Sequence, residues 1–302
     1  MNRHFDDLQI GSLEIFCLTV ELGSFTAAAV SLGVTPAAVS RSISRIEERL
    51  GAKLFVRTTR QLRVTEEGKN YYYHCRKALE YLIDAESLIS GKQQELSGTL
   101  RISVPTAYAH YKLLPNLYHF SEQYPKLKFE IHVSNQNVDL IAQDYDLAIR
   151  GNYLPDSGLI ARKLEDAALC IVATPNYLKK HPAPLHPGEL KDHECIQFEI
   201  PSTGKSAMWT FYESGAEISV AVQGRMLCQD DYLSTLTLVK TGVGLMQVYR
   251  FTVEKELKQG SLVEVLQEYN QTSRPFYLLY AQAKYQPLKV RVFMDYLLSS
   301  VY

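Results

Sequence analysis

Between Arg41 and Arg63 the chain places seven basic residues against two acidic ones, Glu47 and Glu48, although its formal net charge is only −1. A chain so close to neutral has no basic coat, so any polyanion it binds must be held by a local patch of this kind. The residue types matter as much as the charge. In "TPAAVSRSISR" (35–45) the short side chains of Ala37, Ser40 and Ser44 are interleaved with Arg41 and Arg45. Arginine can grip a guanine edge with two hydrogen bonds, serine reaches phosphates or bases, and alanine lets a helix sink into a major groove. Lys53, Arg57, Arg60 and Arg63 follow in and beside "KLFVRTTRQLRV", where they suit a strand tracking a phosphate backbone and a tip entering a minor groove. For the helix alone, a solvated face with ordinary arginines competes with this reading. The basic hairpin next to it tilts the balance toward nucleic acid.

Elements able to position these residues are legible nearby. Leu13, Phe16, Cys17 and Val20 recur at helical spacing between the capping candidates Asp6 and Asp7 and the stop at Gly23. Ser24 suits the cap of a second helix to about Leu32, with Phe25, Ala28, Ala29 and Leu32 on one side. After "GVT", Thr35 is a good N-cap and Pro36 fits the first helical position. Val39, Ile43, Ile46 and Leu50 then form a stripe that ends at Gly51. Two helices joined by a short turn containing glycine predict a helix-turn-helix. The alternation of Leu54 and Val56 against Phe55 and Arg57, a turn at "TTR", and Leu62 with Val64 predict a hairpin wing.

Thr65, Glu66 and Glu67 open a further helix, on which Tyr72, Cys75, Leu79, Leu82, Glu86 and Ile89 make a coiled-coil seam interrupted by Glu86. A core-facing helix of a single chain competes with this reading; lying between two domains with little else to pack on, the helix is expected to pair two chains. "SGKQQELSG" (90–98) reads as a hinge. Beyond it, strands such as "TLRISV", "LKFEIHV" and "DLAIR" alternate with helices, including a short one before "DLAIR", and predict α/β lobes with mainly parallel sheets. A second set begins at "ALCIVAT", and "RPFYLLYAQ" with the helix after Pro287 returns to the first lobe.

In this order, the segments resemble the LysR-type transcriptional regulators along essentially the whole chain. The match is strongest in "FTAAAVSLGVTPAAVSRSISRIEERLGAKLFVRTTRQLRVTEEG", which looks like the family's helix-turn-helix and wing. "YPKLKFEIHVSN", "DLAIRGNYLPDSGLIARKL", "ATPNYLKKHPAP", "GSLVEVL" and "QPLKVRVFMDYL" are similar to its effector-binding region. The resemblance implies a multidomain α+β and α/β protein. A winged helix-turn-helix (1–64) and a dimerising linker helix (65–92) would precede two periplasmic-binding-protein-like lobes, 93–165 completed by 270–302, and 166–269. It implies double-stranded operator DNA and a small-molecule effector as partners, with no other cofactor. Homodimers through the linker helix, homotetramers through the lobes, and RNA polymerase as a further contact also follow from it. In "GLMQVYR" the chain departs from the family, having Gln247-Val248 where related chains commonly have Leu-Pro.

Candidate DNA contacts are Ser24, Thr35, Pro36, Ala37, Ser40, Arg41, Ser44, Arg45, Arg57, Arg60 and Arg63. Ligands of open α/β sheets sit beyond the carboxyl ends of strands. That rule selects Thr106, Tyr108, Ser134, Asn135 and Arg150 from one lobe and Phe198, Asp230 and Gln247 from the other. Thr106 and Arg150 suit a carboxylate, Tyr108 and Phe198 an apolar or aromatic body. Arg150 suits an ion pair with Asp230 across the lobes equally well, and Asp230 is also a candidate cap for the helix starting near Asp231.

Other functions find less support. The enzyme motifs GxSxG, GxxxxGK[ST] and HExxH do not occur, and His181, His186 and His193 lack the spacing of a helical metal site. An architectural DNA protein would have no use for a two-lobe module of this size. Five scattered cysteines without a CxxC predict reduced thiols, and the 33 residues between Cys195 and Cys228 argue against a redox pair. With no signal-like start and no long apolar run, the chain is expected in the cytoplasm.

Overall fold

The computed structural model of the protein describes residues 9–57, 62–89, 96–140, 142–151, 158–282 and 286–299. The chain divides into two compact units. One comprises residues 1–96, 141–144 and 285–291, the other 97–140, 145–284 and 292–302.

The first unit opens with α1 (Ile10–Leu22), α2 (Phe25–Leu32) and α3 (Pro36–Leu50). Asp6 and Asp7 lie outside the described residues, and Gln9, at the N-cap of α1, makes no capping bond. The other two caps are as the side chains predict: Ser24 Oγ accepts from the Ala27 amide and Thr35 Oγ1 from the Ala38 amide. Gly33 ends α2 at φ +65°, a conformation that glycine adopts without the Cβ penalty. Phe16, Ala29, Val39, Ile43 and Ile46 form the core, while Leu50, expected on the same stripe, is exposed. Strands β1 (Phe55–Arg57) and β2 (Leu62–Val64) pair antiparallel as the wing. Leu54 and Phe55 are both buried and Val56 is exposed, so the expected alternation fails at the strand entrance. Phe55 packs edge-on against Phe16, with ring centroids 5.7 Å apart.

A carboxylate joins helix and wing. Glu47 is buried on α3, and its Oε1 accepts from the Leu54 and Phe55 amides at 2.9 and 3.3 Å while its Oε2 accepts from Lys53 Nζ at 2.6 Å. Burial alone would raise its pKa. The Lys53 ammonium and the two amides outweigh burial and hold it below the ordinary carboxylate value. Lys53, read from sequence as a wing cation, is therefore engaged within the domain. Helix α4 (Glu66–Ile89) starts against the same corner. Thr65 Oγ1 accepts from the Gly68 amide, and a Cβ on Gly68 would run into the Leu54 carbonyl oxygen.

The first part of the α4 seam packs on its own chain. Tyr72 and Cys75 are buried in the core with Leu79 packed against it, and the Tyr72 hydroxyl donates to Glu21 Oε1 at 2.8 Å. Farther along, Leu82 and its neighbour Ile83 are exposed, and the Ile89 side chain lies outside the described residues.

The second unit begins with β3 (Gly98–Val104), α5 (Thr106–Tyr108), a π-helical turn (Ala109–Leu113) and α6 (Leu114–Gln123). Strands β4 (Leu127–Val133) and β5 (Leu147–Gly151) flank β3 in parallel, and among the described residues between them the expected short helix gives way to turns. Strand β6 (Leu159–Ala173) leads to α7 (Pro175–Lys180). Next come the hairpin β7 (Gln197–Ile200) and β8 (Lys205–Ser206), and the ribbon β9 (Trp209–Glu213) and β10 (Ala216–Val220). They are followed by β11 (Leu227–Cys228), α8 (Tyr232–Lys240), β12 (Met246–Tyr249), α9 (Glu254–Gln259), β13 (Val263–Val265) and β14 (Ser273–Ala281). Helix α10 (Leu288–Ser299) ends the described chain.

The main sheet runs β12-β6-β14-β5-β3-β4, with β13 also on β6. Its parallel part is confined to β3, β4 and β5; β14 pairs antiparallel with β6 along its whole length, because both are crossing strands rather than members of a βαβ series. Residues 159–168 of β6 pair with β14, and residues 169–173 pair with β12 and β13, so one strand enters both lobes. The core of the second lobe gathers around it, with Cys170, Ile171, Val172, Trp209, Phe211 and Leu236.

Glu47→Ala should remove an acceptor from two buried amides and destabilise the wing by about 2–3 kcal/mol. Urea unfolding with amide exchange at Leu54 and Phe55 measures it. Since the folded pKa is depressed, the carboxylate's contribution is complete above the ordinary carboxylate value and is lost as pH falls through the lowered one. Wild-type stability should therefore fall on acidification more steeply than that of Glu47→Gln.

Candidate functional site

The outward face of α3 carries Ala37, Arg41 and Arg45 exposed, with Ser40 and Ser44 half-buried at its edges. Thr35 and Pro36 are exposed at the N-terminus of α3, and half-buried Ser24 caps α2. On the wing Arg63 is exposed; the Arg57 side chain and all of Arg60 lie outside the described residues. Small and basic groups thus converge on the N-terminal half of one helix beside a hairpin, the shape by which a helix enters the major groove and a wing follows the backbone.

A second site lies in the other unit. A cavity of about 350 Å³ opens where β3, β5, β6, β12 and β14 meet the β7–β8 hairpin. Its wall is largely apolar, with Phe198, Ile200, Met208, Trp209, Met246 and Phe276. Polar groups stand at separate points, Asn135, Arg150, Gln247, Tyr249 and Arg274. This volume and mixture suit a small organic molecule.

Arg150 is the wall's most constrained cation. Although buried, it pairs with no carboxylate among the described residues: its Nη1 donates to the Ile149 carbonyl at 2.6 Å, and its Nη2 to Ser103 Oγ at 2.7 Å and the Gln136 carbonyl at 3.0 Å. Nε has no partner. Burial pulls the guanidinium pKa down to about 10, so it remains charged at neutral pH. The ion pair with Asp230 that the sequence allowed is not formed. Asp230 sits at φ +60° and its carbonyl accepts from Asn135 Nδ2 at 2.6 Å, so the two lobes touch through an amide. Asp231, not Asp230, caps α8, accepting from the Leu233 amide.

The other expected residues divide. Asn135 and Phe198 line the cavity. Gln247 lines it too, but its amide exchanges both hydrogen bonds with the Thr210 backbone and holds β9 to β12. Thr106 is bonded to the Asn135 side chain, and Ser134 Oγ accepts from the Gln136 amide; both stand beside the wall rather than in it. Tyr108 is buried against Phe276, centroids 4.7 Å apart, and against Phe251. Sequence reasoning missed Trp209, Tyr249 and Arg274. Burial raises the Tyr249 pKa against the opposing charge of Arg274, whose Nη2 donates to the Met208 carbonyl. A lone arginine in the apolar run "RPFYLLYAQ" was the available signal.

Comparison with known proteins assigns the two regions that carry these surfaces to one family. Residues 10–69 match the bacterial regulatory helix-turn-helix protein, lysR family, and residues 93–301 match the LysR substrate binding domain. The chain belongs to the LysR family. It is similar to the probable HTH-type transcriptional regulator LtrA of Klebsiella pneumoniae, at 33% identity over 96% of this chain and 94% of that protein. The structure of CrgA, a LysR-type transcriptional regulator from Neisseria meningitidis, matches with TM-score 0.62 at 31% identity, over 96% of this chain and 98% of that one. The full-length Vibrio cholerae virulence activator AphB matches with TM-score 0.61 at 30% identity, over 98% of this chain and 100% of that one. This LysR-type protein is thus a DNA-binding transcriptional regulator with an effector-binding domain. No helix among its described residues is long and apolar enough to cross a membrane.

In this LysR-type regulator Arg41→Ala should leave folding intact and weaken operator binding relative to random DNA by about 1–3 kcal/mol. Competition anisotropy with the two DNAs checks it; equal losses on both would reduce Arg41 to a phosphate contact.

Proposed function

We propose that this regulator acts in the cytoplasm as a homodimer, reads operator DNA with Arg41, Arg45 and the small residues of α3, grips phosphates with Arg63 on the wing, and responds to an organic carboxylate with an apolar or aromatic body. The observation that carries the effector class is Arg150, a buried guanidinium in the cavity wall bonded only to neutral oxygens. Removing such a cation from water is costly, and an incoming carboxylate supplies the charge it lacks. Phe198, Trp209 and Phe276 fit the body of that ligand. A ligand bridging the lobes favours whichever arrangement it fits better, with coupling of about 1–3 kcal/mol to DNA binding.

Support for the dimer comes from α4, where Leu82 continues the apolar seam beyond the part packed on the chain's own core. Two chains joined there carry two recognition helices, and the operator is an interrupted palindrome.

Titrating the chain with a panel of aromatic and alicyclic carboxylates, read by the fluorescence of its sole tryptophan, Trp209, tests the effector class. At least one should bind saturably and change operator affinity, and Arg150→Ala should lose both responses while ligand-free DNA binding stays nearly unchanged. Undiminished carboxylate binding by the variant would leave Arg150 a structural residue. Leu82→Asp should give monomers in light scattering and lose tight binding to a two-half-site operator; persisting dimers would move the contact elsewhere.

A further inference from the structure

The cavity has a neighbour. The tip of the β7–β8 hairpin presents Pro201 and Ser202 to the cavity, while Thr203, Lys205 and Ser206 line a shallow groove of about 570 Å³ bounded by Thr210 and Ser219 of the β9–β10 ribbon. Ile200, Met208 and Arg274 belong to both walls. Two cations, Lys205 and Arg274, line this groove together with four hydroxyls, and no carboxylate does. Among the described residues no acid pairs with either cation. Glu199, opposite Ser206 in the hairpin register, has its carboxylate turned to Gln229 Nε2 at 3.0 Å. Thr203 and Thr210 already serve the hairpin and the neighbouring Thr272, and Ser206 and Ser219 complete the lining.

We propose that this groove is a second binding site, for a small oxyanion, phosphate or carboxylate, distinct from the cavity and linked to it. Ammonium, guanidinium and hydroxyl donors around one groove are the donor set such an anion takes. The link follows from the shared wall. An anion on Lys205 and Arg274 fixes the hairpin tip and the arginine that also bounds the cavity, so occupancy of either site changes the affinity of the other by one and the same factor. The linkage rests on the cavity being the effector site; the groove as an anion site does not.

The test uses the full chain with inorganic phosphate and, separately, acetate, each against sodium chloride at matched ionic strength. Thermal unfolding reads binding, and Trp209 fluorescence reads the cavity. At least one oxyanion should raise the unfolding midpoint saturably, and the one that does identifies the chemistry. Lys205→Gln should raise its half-saturating concentration at least about tenfold, with Lys205→Arg recovering most of the affinity and showing that the charge, not the fold, was lost. A response equal to that in chloride, or one unchanged in Lys205→Gln, overturns the site. Saturation without a change at Trp209 overturns the linkage. Phosphate binding that depends on Lys205 in a chain whose cavity takes no aromatic carboxylate would sink the effector reading and leave the groove standing; the converse result would do the opposite.

Discussion

Strand β6 has two sets of partners, and the effector domain is organised by that fact. Its first ten residues are held by β14 and its last five by β12 and β13, so each lobe completes its sheet with a piece of the same strand. The cavity sits where this exchange occurs. Leu169 on β6, Tyr249 on β12 and Phe276 and Arg274 on β14 all reach it from the crossing region. Its floor is thus built from continuous strands, whereas Asn135 and the β7–β8 hairpin close over it from loops and short elements. A ligand there touches rigid and adjustable walls at once, the arrangement in which closure can register binding.

The two candidate surfaces use opposite physics. On α3, Arg41 and Arg45 stand in water, where an interaction with DNA would be long-ranged and salt-dependent. In the cavity Arg150 is surrounded by protein and held by three neutral oxygens, so its charge is expressed only toward what enters. Burial lifts the thiols of Cys170 and Cys195 to about 12, and Cys228, the most open of the three, is also raised by burial and by Asp231, so all three are protonated at neutral pH.

What the sequence made legible was local. Ser24 and Thr35 specify helix starts through bonds to residues three positions away and Pro36 through its fixed φ at the first helical position, and those features appear as read. The stripe of Val39, Ile43 and Ile46 is likewise a property of one helix. Legibility ended where a residue's role is set by a distant segment. The second set of elements reads as beginning at "ALCIVAT", whereas Leu159–Ala173 is one strand, shown as such only by its pairing with β14 far along the chain. Gln247 was legible as a residue of the cavity wall, but not that Thr210 takes both ends of its amide, nor that Tyr108 packs against Phe276 and Phe251. Arg150 was legible as a cation at a strand end; that no carboxylate answers it was not.

Glu47 bears on how such DNA-reading parts can be exchanged between proteins. Because its carboxylate grips the amides at the entrance to the wing, the tilt of α3 and the placement of the hairpin are one variable rather than two. Grafting α3 alone onto another scaffold would strand a buried acid without its donors, and grafting the wing alone would strand two amides. The smallest transplantable piece is the continuous run 35–65, from the cap of α3 to the threonine that ties the wing to the following helix. Within that run, exposed residues such as Arg41 and Arg45 can be exchanged without touching the bonds by which Glu47 aims the helix and the wing.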